Sequence, residues 1–166
     1  MRDRGVVAMT DACSSSLVHL TSLSLSHNRV ASLEGWCEPL GCLVELNLNF
    51  NQLRDLDGLC APQLKKLCLS SNHVGDVALH GLGKRFPQLA SLGLFRNQVR
   101  DLPAALAELR RLPRLTELDL DGNPCARANP GRIRDSLEYC RSLRFFLFLN
   151  VLIYHFILSP FIFFLS

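Results

Sequence analysis

Residues 43–51 read Leu-Val-Glu-Leu-Asn-Leu-Asn-Phe-Asn, and the spelling behind them, Leu-x-x-Leu-x-Leu-x-x-Asn, returns four more times. The other copies begin at Leu20, Leu64, Leu89 and Leu115 and close at Asn28, Asn72, Asn97 and Asn123. Counted from one closing asparagine to the next, the steps are 23, 21, 25 and 26 residues. A unit this short cannot cover its own leucines. It needs a copy of itself on either side, and about three copies are the minimum for a shared core.

In a short strand, alternate side chains point to opposite faces. Leu46 and Leu48 therefore turn inward, and Glu45, Asn47 and Asn49 turn out. The asparagine falls where the chain leaves the strand. Its short amide can bond to backbone groups left free there, and stacked copies can pass those bonds from one to the next. This spelling and period are the signature of a leucine-rich repeat. The expected fold is an α/β solenoid: a right-handed leucine-rich repeat superhelix of about five repeats. A parallel sheet lines its concave side, turns and short helices its convex side, and an apolar helix follows at the C-terminus.

The outer halves of the repeats differ. After Asn28 and Asn51 the chain places Val30, Leu33, Trp36 and Leu53, Leu56, Leu59 at matching offsets, with Gly35 and Gly58 before the last. That leaves room for turns or one turn of tight helix, and Trp36 is read as a core filler. The third and fourth repeats are longer. Asp76 suits the cap of a helix running to about Lys84, with Val77 and Leu82 inward. Pro103 suits a first helical turn, with Leu102, Leu106, Leu109 and Leu112 at helical spacing. After the fifth repeat, Asn129-Pro130 is a helix start that puts Ile133, Leu137 and Cys140 on one face, with Arg134 and Glu138 paired on the other.

Length and charge bound the function. A chain of 166 residues with net charge +3 fits one domain and a tail. The charge is too mild to mark nucleic acid as a direct partner, and Lys65-Lys66 and Arg110-Arg111 are short pairs of the kind that sit on solvated faces. The seven cysteines, Cys13, Cys37, Cys42, Cys60, Cys68, Cys125 and Cys140, are odd in number and never fall as C-x-x-C. That usage fits reduced structural thiols. The first eleven residues hold charges and no apolar run of secretory length. The expected location is the cytoplasmic side, not the exterior. Residues 1–16 are read as a flexible lead-in, or as a rough cap if Val6-Val7-Ala8-Met9 pairs beside the first repeat.

The short coils with Leu33-Glu34-Gly35 and Leu56-Asp57-Gly58 resemble the intracellular leucine-rich repeat proteins related to the regulatory subunit of protein phosphatase one. Leu120-Asp121-Gly122-Asn123-Pro124, with Tyr139 in the helix that follows, is similar to that family's C-terminal cap. The resemblance covers roughly residues 17–143. It implies an architecture and a protein-binding role, with members among splicing-factor, dynein-associated and ciliary or centrosomal proteins. It does not imply one partner. The family continues after the cap helix with a Leu-Pro-x-Leu-x-x-Leu-Asp strand, and this chain does not.

Instead residues 144–166 turn apolar. Seven of the ten phenylalanines lie there, and after Arg144 no Lys, Arg, Asp or Glu occurs. Some 21 residues at about 1.5 Å each would cross a hydrocarbon layer of about 30 Å, so residues 145–165 are a possible membrane anchor, and Arg141 and Arg144 would keep the repeats cytosolic. Two other readings stand beside it: an unrelated stretch following the family's coding sequence near Arg141, and an apolar helix packing across the last coil. The organisation expected is a lead-in at 1–16, repeats over 17–128, a cap-like helix over 129–143 and the tail over 144–166.

The outward strand residues are the candidate binding surface. They are Ser22, Ser24, Ser26 and His27, then Glu45, Asn47, Asn49 and Phe50, then Lys66, Cys68, Ser70 and Ser71, then Ser91, Gly93, Phe95 and Arg96, and last Glu117, Asp119 and Asp121. Phe50 and Phe95 fall outside the core, and an aromatic beside an arginine is the composition of a contact hot spot. The partner-binding residues expected to matter most are Glu45, Asn47, Asn49, Phe50, Lys66, Phe95, Arg96, Glu117 and Asp119. His27 is read as a turn residue. No zinc spacing, phosphate loop, dinucleotide motif or nucleophile frame is spelled out, so no cofactor, metal or catalytic residue is assigned. The function read from the chain is a scaffold or adaptor for another protein, not an enzyme. Its stacked coils hold contact side chains about 4.7–4.9 Å apart, so little ordering entropy is lost on binding.

Overall fold

The computed structural model describes residues 19–36 and 40–128. Five strands of three residues each form one parallel sheet in chain order: β1 (Ser22–Ser24), β2 (Glu45–Asn47), β3 (Lys66–Cys68), β4 (Ser91–Gly93) and β5 (Glu117–Asp119). The register is continuous. Leu23 pairs with Leu46, Leu46 with Leu67, Leu67 with Leu92 and Leu92 with Leu118. These are the rungs that the repeat spelling predicts.

Three leucines per coil feed the core. Leu43, Leu46 and Leu48 are buried, and the equivalent residues of the third, fourth and fifth coils are buried with them. In the first coil Leu20 and Leu23 are only partly buried, because among the described residues no coil lies outside β1. Each fully buried leucine stabilises the fold by about 1.5–3 kcal/mol, but only because the next coil supplies the other side of the contact.

The closing asparagines tie the coils together through hydrogen bonds. The Asn51 amide donates to Leu48 O at 3.0 Å in its own coil and to Leu25 O at 2.9 Å in the coil before, while its Oδ1 accepts from Val30 N at 3.0 Å. Asn72, Asn97 and Asn123 repeat this arrangement, each with a carbonyl in its own coil and one carbonyl and one N–H in the previous coil, and Asn72 and Asn97 add a longer bond of 3.4 Å to Ser70 O and Phe95 O. All four side chains are buried. The amides survive in such a core because each has its partners; among the described residues the buried Trp36 Nε1 is the side-chain polar atom that has none.

On the convex side the first two coils use single tight turns. Trp36 N donates to Leu33 O at 3.1 Å and Leu59 N to Leu56 O at 3.2 Å, and Trp36 is a buried core filler as expected. Gly58 stands at φ +81, and a Cβ there would lie 2.5 Å from Leu33 O, so the coils approach to backbone contact.

Helices follow in the next two coils: α1 spans Leu82–Arg85 in the third and α2 spans Leu102–Leu109 in the fourth. In α2 the Asp101 side chain accepts from Ala104 N at 3.0 Å, and Leu102, Leu106 and Leu109 are buried. Leu112 is also buried, reached through the turn after the helix.

The third coil departs from the expected single helix. A 3-10 helix at Asp76–Leu79 is followed by α1, with Gly81 in the left-handed region between them at φ 72. Asp76 caps neither. Its Oδ1 accepts from Arg100 N at 3.0 Å and Asp101 N at 3.1 Å in the next coil. Val77, expected inward, is 78% exposed, while Ala78, Leu79 and Leu82 fill the core. The 3-10 winding places about three residues per turn, not 3.6, and the change of phase rotates Val77 outward.

After the fifth strand, α3 (Pro124–Ala128) begins directly behind Asn123 with proline as its first residue. The lead-in at 1–16, the cap-like helix at 129–143 and the apolar tail at 144–166 lie outside the described residues.

Candidate interaction face

The strand positions that point away from the leucine core form five short columns side by side. The first residues of the columns are Ser22, Glu45, Lys66, Ser91 and Glu117, paired in register across the sheet, and the third are Ser24, Asn47, Cys68, Gly93 and Asp119. Glu45, Lys66 and Glu117 are exposed, and Asn47 and Asp119 half-buried. Ser26 corrects the sequence reading. It was expected to face outward and is 2% exposed, and its Oγ lies 3.5 Å from that of Ser24. The short side chain is covered where the chain bends off β1, against the Ser24 hydroxyl.

Some polar side chains on this face also hold the backbone. Asn47 Oδ1 accepts from Asn49 N at 3.1 Å, and Asp119 Oδ1 accepts from Asp121 N at 3.0 Å, the same bond two residues ahead in both coils. Asn49 Oδ1 accepts from Ser70 N at 2.7 Å and so joins the second coil to the third. Burial pushes the Asp119 carboxyl above its ordinary range; the Asp121 N–H opposes that rise and the Asp121 charge adds to it. Burial also pushes the Cys68 thiol up, with Lys66 lowering it and Glu45 raising it.

A second row runs above the strands. His27, Phe50, Ser71 and Arg96 have φ of 57, 56, 57 and 52, and each stands one residue before its closing asparagine. Gly122 holds the same place in the fifth coil at φ 76. Residues other than glycine seldom adopt this left-handed conformation, at a cost of roughly 1–2 kcal/mol each. Here the asparagine bonds on the following residue hold them in it. Their N–H groups donate one coil ahead, to Asn49 O, Ser70 O, Phe95 O and Asp121 O, at 2.8–2.9 Å. The row is thus as regular as the sheet beneath it.

This row presents the aromatic groups. The His27 and Phe50 rings stack with centroids 4.2 Å apart and 16° between their planes, and Phe50 is 48% exposed. Phe95 is half-buried, with the Arg96 guanidinium 5.1 Å from its ring centroid. The structure therefore gathers Phe95 with Arg96, and places Phe50 two coils away against His27. His27 is a turn residue, as read from the sequence, and it is also half of the exposed stack. The signal that marks the row is Gly122-Asn123: aligned with His27-Asn28, Phe50-Asn51, Ser71-Asn72 and Arg96-Asn97, its glycine reveals the left-handed position in every coil.

Among the described residues, no group of three or more His, Cys, Asp or Glu is placed to hold a metal ion. Cys42, Cys60, Cys68 and Cys125 are free thiols. No helix among the described residues is long and apolar enough to cross a membrane.

The family described as "Leucine Rich repeats (2 copies)" matches residues 18–61. The human "Leucine-rich repeats and immunoglobulin-like domains protein 1" is 33% identical over 109 residues, which is 63% of this chain and 10% of that protein. The chain thus corresponds to about a tenth of that relative's length. Among solved structures, a Drosophila melanogaster SNF/U2A' complex is similar with TM-score 0.67 at 24% identity, covering 84% of this chain and 82% of that one. A Leptospira interrogans leucine-rich repeat protein matches with TM-score 0.64 at 28% identity, over 84% of this chain and 34% of that one. A Listeria monocytogenes internalin matches with TM-score 0.52 at 22% identity, over 74% and 40%. The three structural likenesses each cover about three quarters or more of the chain, whereas the family match spans residues 18–61.

Proposed function

We propose that this chain, a leucine-rich repeat protein, is a scaffold that captures another protein on its concave sheet and on the row of left-handed residues above it. The observation that carries this reading is the aromatic stack. Phe50 is one of two large apolar side chains exposed among the described residues, and it occupies a strained backbone position. Strain of this kind persists where the surrounding structure over-determines it, as the Asn51 hydrogen bonds do here, and it holds the ring in place beside His27. Glu45, Asn47, Asn49, Phe50, Lys66, Phe95, Arg96, Glu117 and Asp119 are the proposed contact residues, to which the geometry adds His27. The rigid register lowers the ordering cost of binding.

Kinship with the intracellular class related to the phosphatase regulatory subunit belongs to the same proposal, and so does a cytoplasmic location. They rest on the short first coils and on Leu120-Asp121-Gly122-Asn123-Pro124. A second reading, a tail-anchored adaptor, rests on the charge-free run at 145–165. Alkaline carbonate extraction tests it: the full chain stays in the membrane pellet and a chain ending at Arg144 does not.

The scaffold reading is tested by placing a photo-crosslinking phenylalanine analogue at Glu45 or Glu117 on the sheet and, separately, at Lys84 on the convex side. Protein adducts that form from the sheet positions and not from Lys84 support it. Adducts from Lys84 alone, or equal yields from all three, overturn it.

A further inference from the structure

The concave sheet is not uniform from column to column, and the differences describe what it accepts. In the first four columns negative charge does not accumulate. Glu45 and Lys66 are register partners, strands β1 and β4 contain no ionisable acid or base, and Arg96, beyond the end of β4, holds its guanidinium 5.1 Å from the Phe95 ring centroid. The fifth column carries Glu117 and Asp119 on β5 with Asp121 just beyond, three carboxylates in a row. The chain as a whole is positive at +3. Negative charge has therefore been sorted onto one end of this face, against the sign of the molecule.

Beside those carboxylates the row of side chains has a gap. Gly93 is the register partner of both Cys68 and Asp119. Its backbone is outside the left-handed region, and an added Cβ would meet Ser70 Oγ at 3.6 Å, Cys68 Cα at 3.8 Å and Leu67 O at 3.9 Å, ordinary contact distances. Neither the backbone nor the packing requires glycine here. The consequence of having it is that no side chain stands over β4 at this position, next to a half-buried carboxylate whose charge burial disfavours. At the other end, three columns away, stands the exposed His27–Phe50 stack.

The geometry points to one class of occupant for this sheet face: a cationic protein segment that lays an aromatic or aliphatic anchor on the His27–Phe50 stack and lowers Lys or Arg side chains over Gly93 onto Glu117, Asp119 and Asp121. Three strand spacings separate the two ends, about 14 Å. The inference rests on the scaffold reading and narrows its partner by charge and by spacing. A nucleic acid would meet the β5 carboxylates with the wrong sign.

The test uses a fluorescein-labelled helical peptide on an Ala/Gln scaffold, with Trp at one site and Arg seven and eleven residues later on the same face, about 10 and 16 Å away. A counterpart carries Glu in place of both Arg. The Arg peptide is expected to bind the full chain at least tenfold more tightly than the Glu peptide, in fluorescence anisotropy at low salt. The triple variant Glu117→Gln, Asp119→Asn, Asp121→Asn keeps the Asp119 Oδ1 acceptor and should weaken the Arg peptide at least about fivefold. Gly93→Lys, which tethers an ammonium in the gap, should weaken it as much; thermal melts establish that both variants fold.

Equal binding of the two peptides, no binding of the Arg peptide, or binding that survives both variants overturns the inference. Cross-links from Glu45 and Glu117 to a partner with no basic segment would end this inference and leave the scaffold reading standing.

Discussion

The side-chain oxygen of Asn72 accepts the backbone N–H of Leu53 at 3.0 Å, across the boundary between two coils. The same amide donates to Leu48 O and Leu69 O, both at 2.9 Å. With a longer bond to Ser70 O at 3.4 Å, one buried side chain thus reaches four backbone groups in two coils. Asn72→Leu should cost about 1–3 kcal/mol, the penalty for stranding buried donors and acceptors, although leucine is the more apolar residue. Urea denaturation measures it. A variant as stable as the parent would mean that water replaces the amide.

The two convex glycines, Gly35 and Gly58, share a conformation and differ in surroundings. Both are left-handed, at φ +80 and +81, but a Cβ at Gly35 meets nothing within 4 Å, whereas one at Gly58 comes 2.5 Å from Leu33 O. Gly35→Ala should cost roughly 1–2 kcal/mol from backbone strain alone. Gly58→Ala should cost at least about 1 kcal/mol more, because backbone atoms must shift. Equal losses in thermal melts would show that the coils separate without penalty.

Phe50 separates display from stability. Phe50→Gly removes the left-handed strain of roughly 1–2 kcal/mol and also the stacking with His27, worth about 0.5–1.5 kcal/mol. The two changes oppose each other, so stability should move by less than about 1 kcal/mol. Partner cross-linking from Glu45 should fall sharply in the same variant. A variant that melts early and still captures its partner would reassign Phe50 to the core.

Asp119 links this face to pH. Burial raises its carboxyl pKa in the folded chain, so the folded state holds the proton more tightly than the unfolded chain does. The burden of the charged form is absent below the unfolded carboxylate pKa and is felt as pH rises through the folded one. Asp119→Asn should therefore raise the melting temperature at neutral pH, and the gain should vanish under acid conditions where the parent is protonated. The sign is the test: a lower melting temperature at neutral pH would mean that Asp119 is stabilised as an anion.

The sheet and its ladder are legible in the sequence because each depends on one kind of residue at one spacing. Leu46 and Leu48 cannot both be buried in any other register, and Asn51 has no other way to be buried cheaply. The region from Asp76 to Arg85 is less legible. Asp76 looks like a helix cap but bonds to Arg100 N and Asp101 N, partners some 24 and 25 residues away. Gly81 looks like a tolerated helix residue but takes φ 72 and splits the segment. Ser26 reads as outward by alternation, yet alternation ends where the strand does. The left-handed row was hidden for a different reason. Four of its five members carry side chains that rarely adopt that conformation, and only Gly122 betrays it.

The unequal outer halves set how the spine bends. Packed helices stand about 8–10 Å apart and strands about 4.7–4.9 Å, so helical outer halves force successive coils to fan. The tight turns behind β1 and β2 impose no such wedge; the 3-10 helix, α1 and α2 behind β3 and β4 do. The arch therefore deepens toward β5, and a ligand reaching from Phe50 to Asp119 would be cradled at its far end and merely touched at its near one.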